Sequence, residues 1–185
     1  MVAQSEFQGL VDSAYNHYND NLTKEIAELL TRLKLTVSVA ESLTGGMLGQ
    51  HLTSVPGSSE YFMGGVISYT TNLKIKLLGV SPLTIREKGE VSSQTALEMV
   101  EGLQRLIQSD VCLSTTGVAG PANKKYSSDA TGKVFIGFLH QKSKTVKHYR
   151  FQGTRHNIRE KTTVAALELL RQYLATYQNQ KKGEN

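Results

Sequence analysis

The stretch VSVAESLTGG, from Val37 to Gly46, decides how this chain folds. It begins apolar, turns polar at Glu41, and leads into the apolar spacing of an amphipathic helix. This order predicts a buried strand, a polar loop and a helix, which places the loop at the carboxyl edge of a sheet, where ligands bind in open α/β folds. Gly45 and Gly46 would let a ligand approach the backbone closely, and the first helical N–H groups could hold an anion or an oxyanion.

The same ten residues also fit an ordinary capped turn between a strand and a helix. In that interpretation the hydroxyl of Ser42 or Thr44 is the N-cap of the helix and has no chemical task. The stretch alone leaves both interpretations open, because a short motif is only a hypothesis about function.

The bulk composition is that of a soluble globular domain. The chain has 185 residues, 39% of them hydrophobic and 20% charged, which predicts a single domain over 1–185. No apolar run is long enough to span a membrane, and the first 21 residues lack the basic start and apolar core of a secretory signal. We therefore expect a cytoplasmic protein without a membrane partner.

The ligand types for a metal site are scarce in this sequence. Cys112 is the single cysteine, which excludes an internal disulfide, and it lies in the apolar run VCLS, which predicts a buried structural thiol and not a nucleophile. The five histidines, including His148 and His156, lack the paired spacing of metal ligands. We expect neither a metal nor a cofactor.

The net charge of +5 has its excess toward the C-terminus. Such an excess could favour an anionic ligand or nucleic acid, although a dispersed basic face is more often only solvated. No aromatic residues alternate with these basic residues as they do on a nucleic-acid platform, so a nucleic-acid partner is not expected.

Apolar periodicity predicts alternating helices and buried strands along the chain. Two helical segments precede Lys34, the first of them an appended helix within 1–20. Strands and helices then follow in alternation, with Ser92 as the N-cap of one helix, and the tail 178–185 is expected to fray. Gly64 and Gly65 mark a bulge or a close backbone approach in a strand, and Ser81-Pro82 begins a turn. The polar run 122–131 is expected to be a mobile loop, and the short turn between the last two strands predicts that they are antiparallel. The predicted strands are 35–40, 61–69, 110–116, 133–140 and 145–151, and the predicted helices after the first strand are 44–53, 71–78, one beginning after 92, and 155–177. This order favours a three-layer α/β/α sandwich around a mixed, mainly parallel sheet of about five strands.

A second glycine-rich loop, TTGVAGP, follows the strand that ends at Thr116. It meets the first loop at one sheet edge if the two strands are parallel neighbours. Between them in sequence lie Tyr69 and Lys74. A serine beside a neutral lysine can hydrolyse an amide without histidine, and a tyrosine hydroxyl could relay the proton or orient the lysine. Equally, Lys74 could be a solvated helix lysine and Tyr69 a core aromatic residue.

Several separated motifs give the chain a family resemblance. AESLTGG, VPGSSEYFMGGVISY, the lysine followed by LLGV, GEVSS, TTGVAGP and FQGTRHNIR resemble, in order and spacing, the CinA C-terminal domain family. The resemblance covers about residues 25–175, and several motifs together are far more specific than any one. That family includes nicotinamide-nucleotide amidohydrolases. It implies a mixed five-stranded sheet, a homodimer, and metal-independent conversion of nicotinamide mononucleotide to nicotinic acid mononucleotide and ammonia.

The resemblance also implies a role for each matching residue. It gives Ser42 as the nucleophile, Lys74 as its general base, and Tyr69 as the hydrogen-bonding partner of that pair. It implies substrate contacts from the two glycine-rich loops and from the GxRxxxR segment. The implied binding residues are Thr44, Gly45, Gly46, Thr116, Gly117, Arg155 and Arg159.

Three positions depart from the family pattern. Leu43 replaces the usual cysteine, Thr71 replaces the usual asparagine, and the segment after Pro121 reads ANKKYSSDATG in place of a glycine-rich loop. Because that loop is expected to border the substrate, a catalytically inactive paralogue that binds a nucleotide or has a regulatory role stays open as an alternative. The family name and the positive charge leave a second alternative, a nucleic-acid-associated protein of competence or damage response.

Overall fold

The computed structural model describes residues 21–122 and 126–183 of the chain. The appended helix predicted within 1–20 lies outside the described residues. The strands are β1 Val37–Glu41, β2 Phe62–Ile67, β3 Val111–Gly117, β4 Lys133–His140 and β5 Ser143–Arg150. The helices are α1 Asn21–Leu33, α2 Met47–Thr53, α3 Thr71–Leu78, α4 Pro82–Lys88, α5 Ser93–Ile107 and α6 Arg155–Gly183.

The five strands form one open sheet in the order β2-β1-β3-β4-β5. β1 pairs in parallel with both β2 and β3, whereas β4 is antiparallel to its two neighbours. Four strands therefore run in one direction and only β4 runs against them, which confirms the mixed sheet. Because β1 and β3 are parallel neighbours, the loops after them leave the same edge of the sheet, as the sequence predicted.

Helices cover both faces of the sheet. α1, α2 and α6 pack together on one face, while α3, α4 and α5 form the layer on the other. Each face has its own apolar core. The larger one includes Leu30, Val39 and Leu167, and the smaller one includes Met99 and Cys112. The three-layer α/β/α sandwich is therefore confirmed, and Cys112 is a buried thiol whose pKa is raised by burial.

The helices differ from the prediction after Ser81 and at the C-terminal end of the chain. The structure has a helix, α4, where a turn was expected after Ser81. The Ser81 hydroxyl caps this helix, and Pro82 occupies its first turn, where its missing N–H costs no hydrogen bond. At the other end of the chain, α6 was predicted to end at 177 but continues to Gly183.

Gly64 and Gly65 in β2 mark the irregularity that the sequence predicted. The register of β2 against β1 shifts between Val37 and Ser38, and Gly64 has a φ of 121°. A Cβ at Gly65 would lie 2.7 Å from the Val39 carbonyl oxygen. A glycine is needed there because the two backbones approach too closely for a side chain.

Candidate active site

Ser42 and Lys74 are in direct contact at the carboxyl edge of the sheet. Ser42 follows the last residue of β1, and Lys74 lies in the middle of α3. The Lys74 Nζ donates to the Ser42 Oγ at 2.9 Å and to the Ser68 carbonyl oxygen at 2.8 Å. Lys74 is only 1% exposed and Ser42 only 7% exposed. The structure thus brings together the serine and the lysine that the sequence predicted to meet.

The packing of helix α3 determines where Lys74 lies relative to the sheet. The Thr70 side chain caps its N-terminus, and Gly79 ends it in the left-handed conformation. The helix packs on α5 at Gly102, where a Cβ would overlap the Leu78 carbonyl oxygen. This close packing seats Lys74 in the interior, where loss of water disfavours an ammonium relative to a neutral amine.

Glu41 fixes one side of the loop that carries Ser42. Its carboxylate, 1% exposed, accepts the N–H groups of Gly46 at 2.8 Å, Leu48 at 3.2 Å and Gly49 at 2.8 Å. These are donors from the first turn of α2, which have no partner within their own helix. A negative charge at a helix N-terminus is favourable, so Glu41 ties the end of β1 to the start of α2.

Arg159 fixes the opposite side of the same loop. Its Nε donates to the Leu43 carbonyl oxygen at 3.0 Å, and a terminal nitrogen donates to the Thr44 carbonyl oxygen at 2.8 Å. Because the C=O and N–H of a trans peptide point in opposite directions, the Thr44 N–H is directed away from Arg159. In this structure Arg159 positions the loop, and its predicted contact with the substrate stays a prediction.

A cavity of about 200 Å³ opens beside Ser42. Its wall comes from the two glycine-rich loops, the loop before α5, and the segment that follows Pro121. The lining residues are Ser42, Leu43, Tyr69, Glu90, Val91, Thr116, Gly117, Val118, Ala119, Gly120, Pro121, Tyr126 and Arg155. A Cβ at Gly117 would lie 3.0 Å from Leu43 and 2.8 Å from the Lys133 carbonyl oxygen, so glycine allows the two loops to meet.

Arg155 and Tyr69 form one side of the cavity mouth. The Arg155 guanidinium donates to the Gly120 carbonyl oxygen at 2.8 Å and to the Tyr69 hydroxyl at 2.7 Å. Both side chains are exposed, Tyr69 to 53%. A cation at the entrance suits an anionic group of a ligand. The predicted bond from Tyr69 to the Ser42–Lys74 pair stays a prediction, since the hydroxyl accepts from Arg155.

Glu90 accepts hydrogen bonds from three side chains that belong to different segments around the cavity. Its carboxylate accepts the hydroxyls of Thr71 and Tyr126, one on each oxygen. Its backbone carbonyl accepts the Thr116 hydroxyl at 2.7 Å. Burial, together with the hydrogen bond and the charge of Glu90, raises the pKa of Tyr126, which therefore remains a protonated donor at neutral pH.

The other predicted binding residues fall into two groups. Thr116 and Gly117 line the cavity, and their predicted contact with the substrate stays a prediction. Thr44 is fully buried and its hydroxyl bonds to the Thr115 hydroxyl at 2.8 Å. The Gly45 N–H donates to the Ser42 carbonyl oxygen at 3.2 Å, and the Gly46 N–H is bound by Glu41. The last two donors hold the loop, so the expectation that they stabilise an oxyanion has no support in this geometry.

The sequence reasoning missed Glu90 and Tyr126. Glu90 lies in the GEVSS motif, which contributed to the family resemblance and to the prediction of an N-cap at Ser92, but no role was predicted for Glu90 itself. Ser92 does cap the helix, since its hydroxyl accepts the Thr95 N–H at 3.1 Å. Tyr126 lies in the polar segment that was expected to be a mobile loop, and a 3-10 turn at Ser128–Ala130 follows it. The lone aromatic residue in that polar run was the available signal.

The described part of the chain has neither a metal-ligand cluster nor a membrane-spanning helix. Within residues 21–122 and 126–183, no group of three or more histidine, cysteine or acidic side chains could hold a metal ion. None of the helices described there has the length and apolar character needed to cross a membrane.

Solved structures of other proteins share this fold and most of its length. A competence/damage-inducible protein, CihA, from Agrobacterium tumefaciens superposes with a TM-score of 0.78 at 34% identity, covering 82% of this chain and 92% of that one. A competence or damage-inducible protein from Enterobacter asburiae gives a TM-score of 0.79 at 30% identity, covering 84% of this chain and 97% of that one.

Proteins with similar sequences point to the same family as these solved structures. The chain is 44% identical over 162 residues to a CinA-like protein of Solibacter usitatus and 40% identical over 160 residues to one of Thermotoga maritima. These matches cover 88% and 86% of this chain but only 39% of each relative. A model of the CinA C-terminal domain matches residues 19–174. The chain therefore belongs to the CinA C-terminal domain family.

Proposed function

We propose that this protein is an amidohydrolase that converts nicotinamide mononucleotide to nicotinic acid mononucleotide and ammonia. The observation that carries the proposal is the buried contact between Lys74 Nζ and Ser42 Oγ at 2.9 Å, next to a cavity with a cation at its mouth. A solvated helix lysine or an N-cap serine would not be paired in this way. The family resemblance supplies the substrate.

In the first half of the reaction, Ser42 is the nucleophile and Lys74 the base. The neutral Lys74 amine takes the Ser42 hydroxyl proton as the oxygen attacks the carboxamide carbon. We assign the developing oxyanion to the backbone N–H groups of the Ser42 loop, among which the Thr44 N–H is turned away from Arg159. The Lys74 ammonium then gives its proton to the departing nitrogen, which leaves as ammonia, and a nicotinoyl ester on Ser42 remains.

In the second half, water completes the hydrolysis. Lys74 takes a proton from the water that attacks the ester, and returns it to the Ser42 oxygen as the acyl–oxygen bond breaks. The net change is one amide and one water to one carboxylic acid and one ammonia. Arg155 holds the phosphate of the mononucleotide at the mouth, where its guanidinium is exposed and can make charge-assisted hydrogen bonds.

Ammonia release from nicotinamide mononucleotide, measured in the presence of a metal chelator, tests the proposal. The wild type should release ammonia, whereas Ser42→Ala should lose activity by at least about a thousandfold, because the nucleophile is gone. Ser109→Ala is the matched control, since Ser109 is also buried but lies before β3, at the opposite end of the sheet.

Two results would count against this function. A folded wild type that releases no ammonia would exclude this substrate and favour a non-catalytic, nucleotide-binding role. Activity that persists in Ser42→Ala at the level of Ser109→Ala would exclude Ser42 as the nucleophile. Thermal melting of all three proteins shows whether each variant is folded.

A further inference from the structure

The cavity carries an acidic side chain that the proposed reaction does not use. Glu90 lines the wall, and its carboxylate is held by the Thr71 and Tyr126 hydroxyls. Tyr126 lines the cavity as well, so an aromatic ring and a carboxylate lie side by side on this wall.

Glu90 is coupled to both reactive side chains through short connections. The Ser42 N–H donates to the Thr115 carbonyl oxygen at 3.0 Å, and the next residue, Thr116, donates its hydroxyl to the Glu90 carbonyl oxygen. On the other side, Thr71 binds the Glu90 carboxylate and lies three residues, less than one helical turn, before Lys74. Because Ser42 and Glu90 also line the same cavity, the acidic side chain belongs to the pocket into which the reacting carboxamide would bind.

The described lining residues include two charged side chains of opposite sign, Glu90 and Arg155. Arg155 is fixed at the mouth by the Gly120 carbonyl and the Tyr69 hydroxyl. A ligand that fits this arrangement has a positive inner part and a negative outer part. Nicotinamide mononucleotide has this charge pattern, because its ring nitrogen is quaternary and its phosphate is anionic. Free nicotinamide has neither charge.

We propose that Glu90 and Tyr126 recognise the cationic pyridine ring of an N1-substituted nicotinamide, and so select the nucleotide over neutral pyridine carboxamides. The Tyr126 ring offers an electron-rich face to the cation, and the Glu90 carboxylate balances its charge. The Tyr126 hydroxyl, bound to Glu90, fixes the ring in place. This specificity role rests on the proposed function and assigns a task to the segment that departs most from the family pattern.

The proposal is tested with two ligands that differ chiefly in the charge of the pyridine ring. Nicotinamide mononucleotide and its 1,4-dihydro form share the ribose, phosphate and carboxamide, but the dihydro ring is uncharged. Binding of both is measured by calorimetry in mildly alkaline buffer with Ser42→Ala as the parent, so that neither ligand is consumed. The parent should bind the oxidised form at least about tenfold more tightly, the range expected for a cation on an aromatic face beside a carboxylate.

Three further substitutions on this parent assign the preference to the two residues. Glu90→Gln keeps the size of the side chain and removes its charge, and should reduce the affinity ratio severalfold, with the Tyr126 ring still favouring the charged form. Tyr126→Leu removes the aromatic face and should also reduce the ratio. Tyr126→Phe is the matched control, because it retains the ring and should keep most of the preference.

The outcomes distinguish this proposal from a structural role and from the proposed function. Equal weakening of both ligands by Glu90→Gln, or an unchanged ratio, would overturn the recognition role. A parent that binds neither form would overturn it as well. If the parent prefers the charged ring but the wild type releases no ammonia, then the recognition holds and the amidohydrolase function fails. Should Glu90→Gln not fold, Tyr126→Leu decides alone.

Discussion

Arg159 holds the Thr44 carbonyl oxygen at 2.8 Å across 115 residues of sequence. Its Nε donates to the neighbouring Leu43 carbonyl oxygen, so the guanidinium forms hydrogen bonds to two successive carbonyl groups of the loop that carries Ser42. Arg155, one helical turn earlier, faces the cavity instead. The two arginines of one motif thus have different tasks, since one positions the loop and the other is available to a ligand.

Arg159→Lys should therefore lower kcat and leave KM nearly unchanged. Lysine cannot bind two carbonyl oxygens in the fixed geometry of a guanidinium, so the loop loses its alignment with the reacting carbon. A small misplacement of a reacting group costs on the order of a hundredfold in rate. Steady-state ammonia release from nicotinamide mononucleotide measures both constants.

Arg155→Lys is the matched comparison for this experiment. It should mainly raise KM, because Arg155 contacts the ligand phosphate in the proposed complex and the fork-like contact is weakened. If both variants changed kcat and KM in the same proportion, then the division of tasks between the two arginines would be wrong.

Glu41→Gln should destabilise the protein by about 2–4 kcal/mol, because a buried acceptor of three backbone N–H groups is lost. In glutamine, one carboxylate oxygen is replaced by an NH₂ group, which would face a backbone N–H and cannot accept it. The substitution also removes the negative charge at the N-terminus of α2. Urea unfolding followed by circular dichroism measures the free energy of unfolding.

Glu98→Gln is the control for Glu41→Gln. Glu98 also accepts three hydrogen bonds, from the Ser81 N–H, the Thr84 hydroxyl and the Gln94 amide, but it is only half-buried. We expect a loss of about 1 kcal/mol there. Equal losses in the two variants would show that burial of Glu41 adds nothing to its role.

The layered fold could be predicted from the sequence because its signals are local. The alternation of apolar runs defined the strands, and the short turn between β4 and β5 indicated their antiparallel pairing, which the register confirms. Ser92 was predicted as an N-cap and is one. Helix α4 was missed, although Ser81 followed by Pro82 is the usual start of a helix, because the pair was interpreted only as a turn.

The pairing within the site was less predictable, because it depends on contacts between distant residues. The parallel arrangement of β1 and β3 was enough to predict that the two glycine-rich loops meet. Sequence spacing could not reveal that Arg159 points at the Ser42 loop, or that Tyr126 reaches Glu90 over 36 residues. The rotation of α6 and the course of the segment after Pro121 decide these contacts, and both are set by packing.

Gly102→Ala should destabilise the protein and reduce its activity together. The new methyl group would overlap the Leu78 carbonyl oxygen at the end of α3, so this helix must move away from α5. Lys74 lies on α3, and its contact with Ser42 would lengthen. We expect a loss of about 1–3 kcal/mol of stability, typical of overpacking, and a lower kcat.

Gly49→Ala provides the contrast for that substitution. Gly49 also lies within a helix, but a Cβ there would be 3.5 Å from its nearest neighbours, an ordinary contact distance. Helix propensity then favours alanine, so stability should stay the same or rise by up to about 1 kcal/mol. Similar losses in both variants would mean that the contact between α3 and α5 is not the cause.

His140 should make the stability of the fold depend on pH below neutrality. Burial lowers the pKa of His140 below its ordinary value of 6.5, with Lys181 acting in the same direction and Asp110 opposing it. The unfolded chain therefore binds this proton more readily than the folded one. Stability is at its full value above pH 6.5 and decreases as the pH falls from 6.5 through the pKa of the folded state.

His140→Gln tests this dependence, since glutamine can still bond to the Tyr173 hydroxyl but does not titrate. The free energy of unfolding, measured in urea between about pH 7.5 and pH 5.5, should fall less steeply with acid in this variant than in the wild type. Burial also lowers the pKa of His148, so part of the slope should remain. Parallel slopes for the wild type and His140→Gln would exclude His140 as a source of the acid sensitivity.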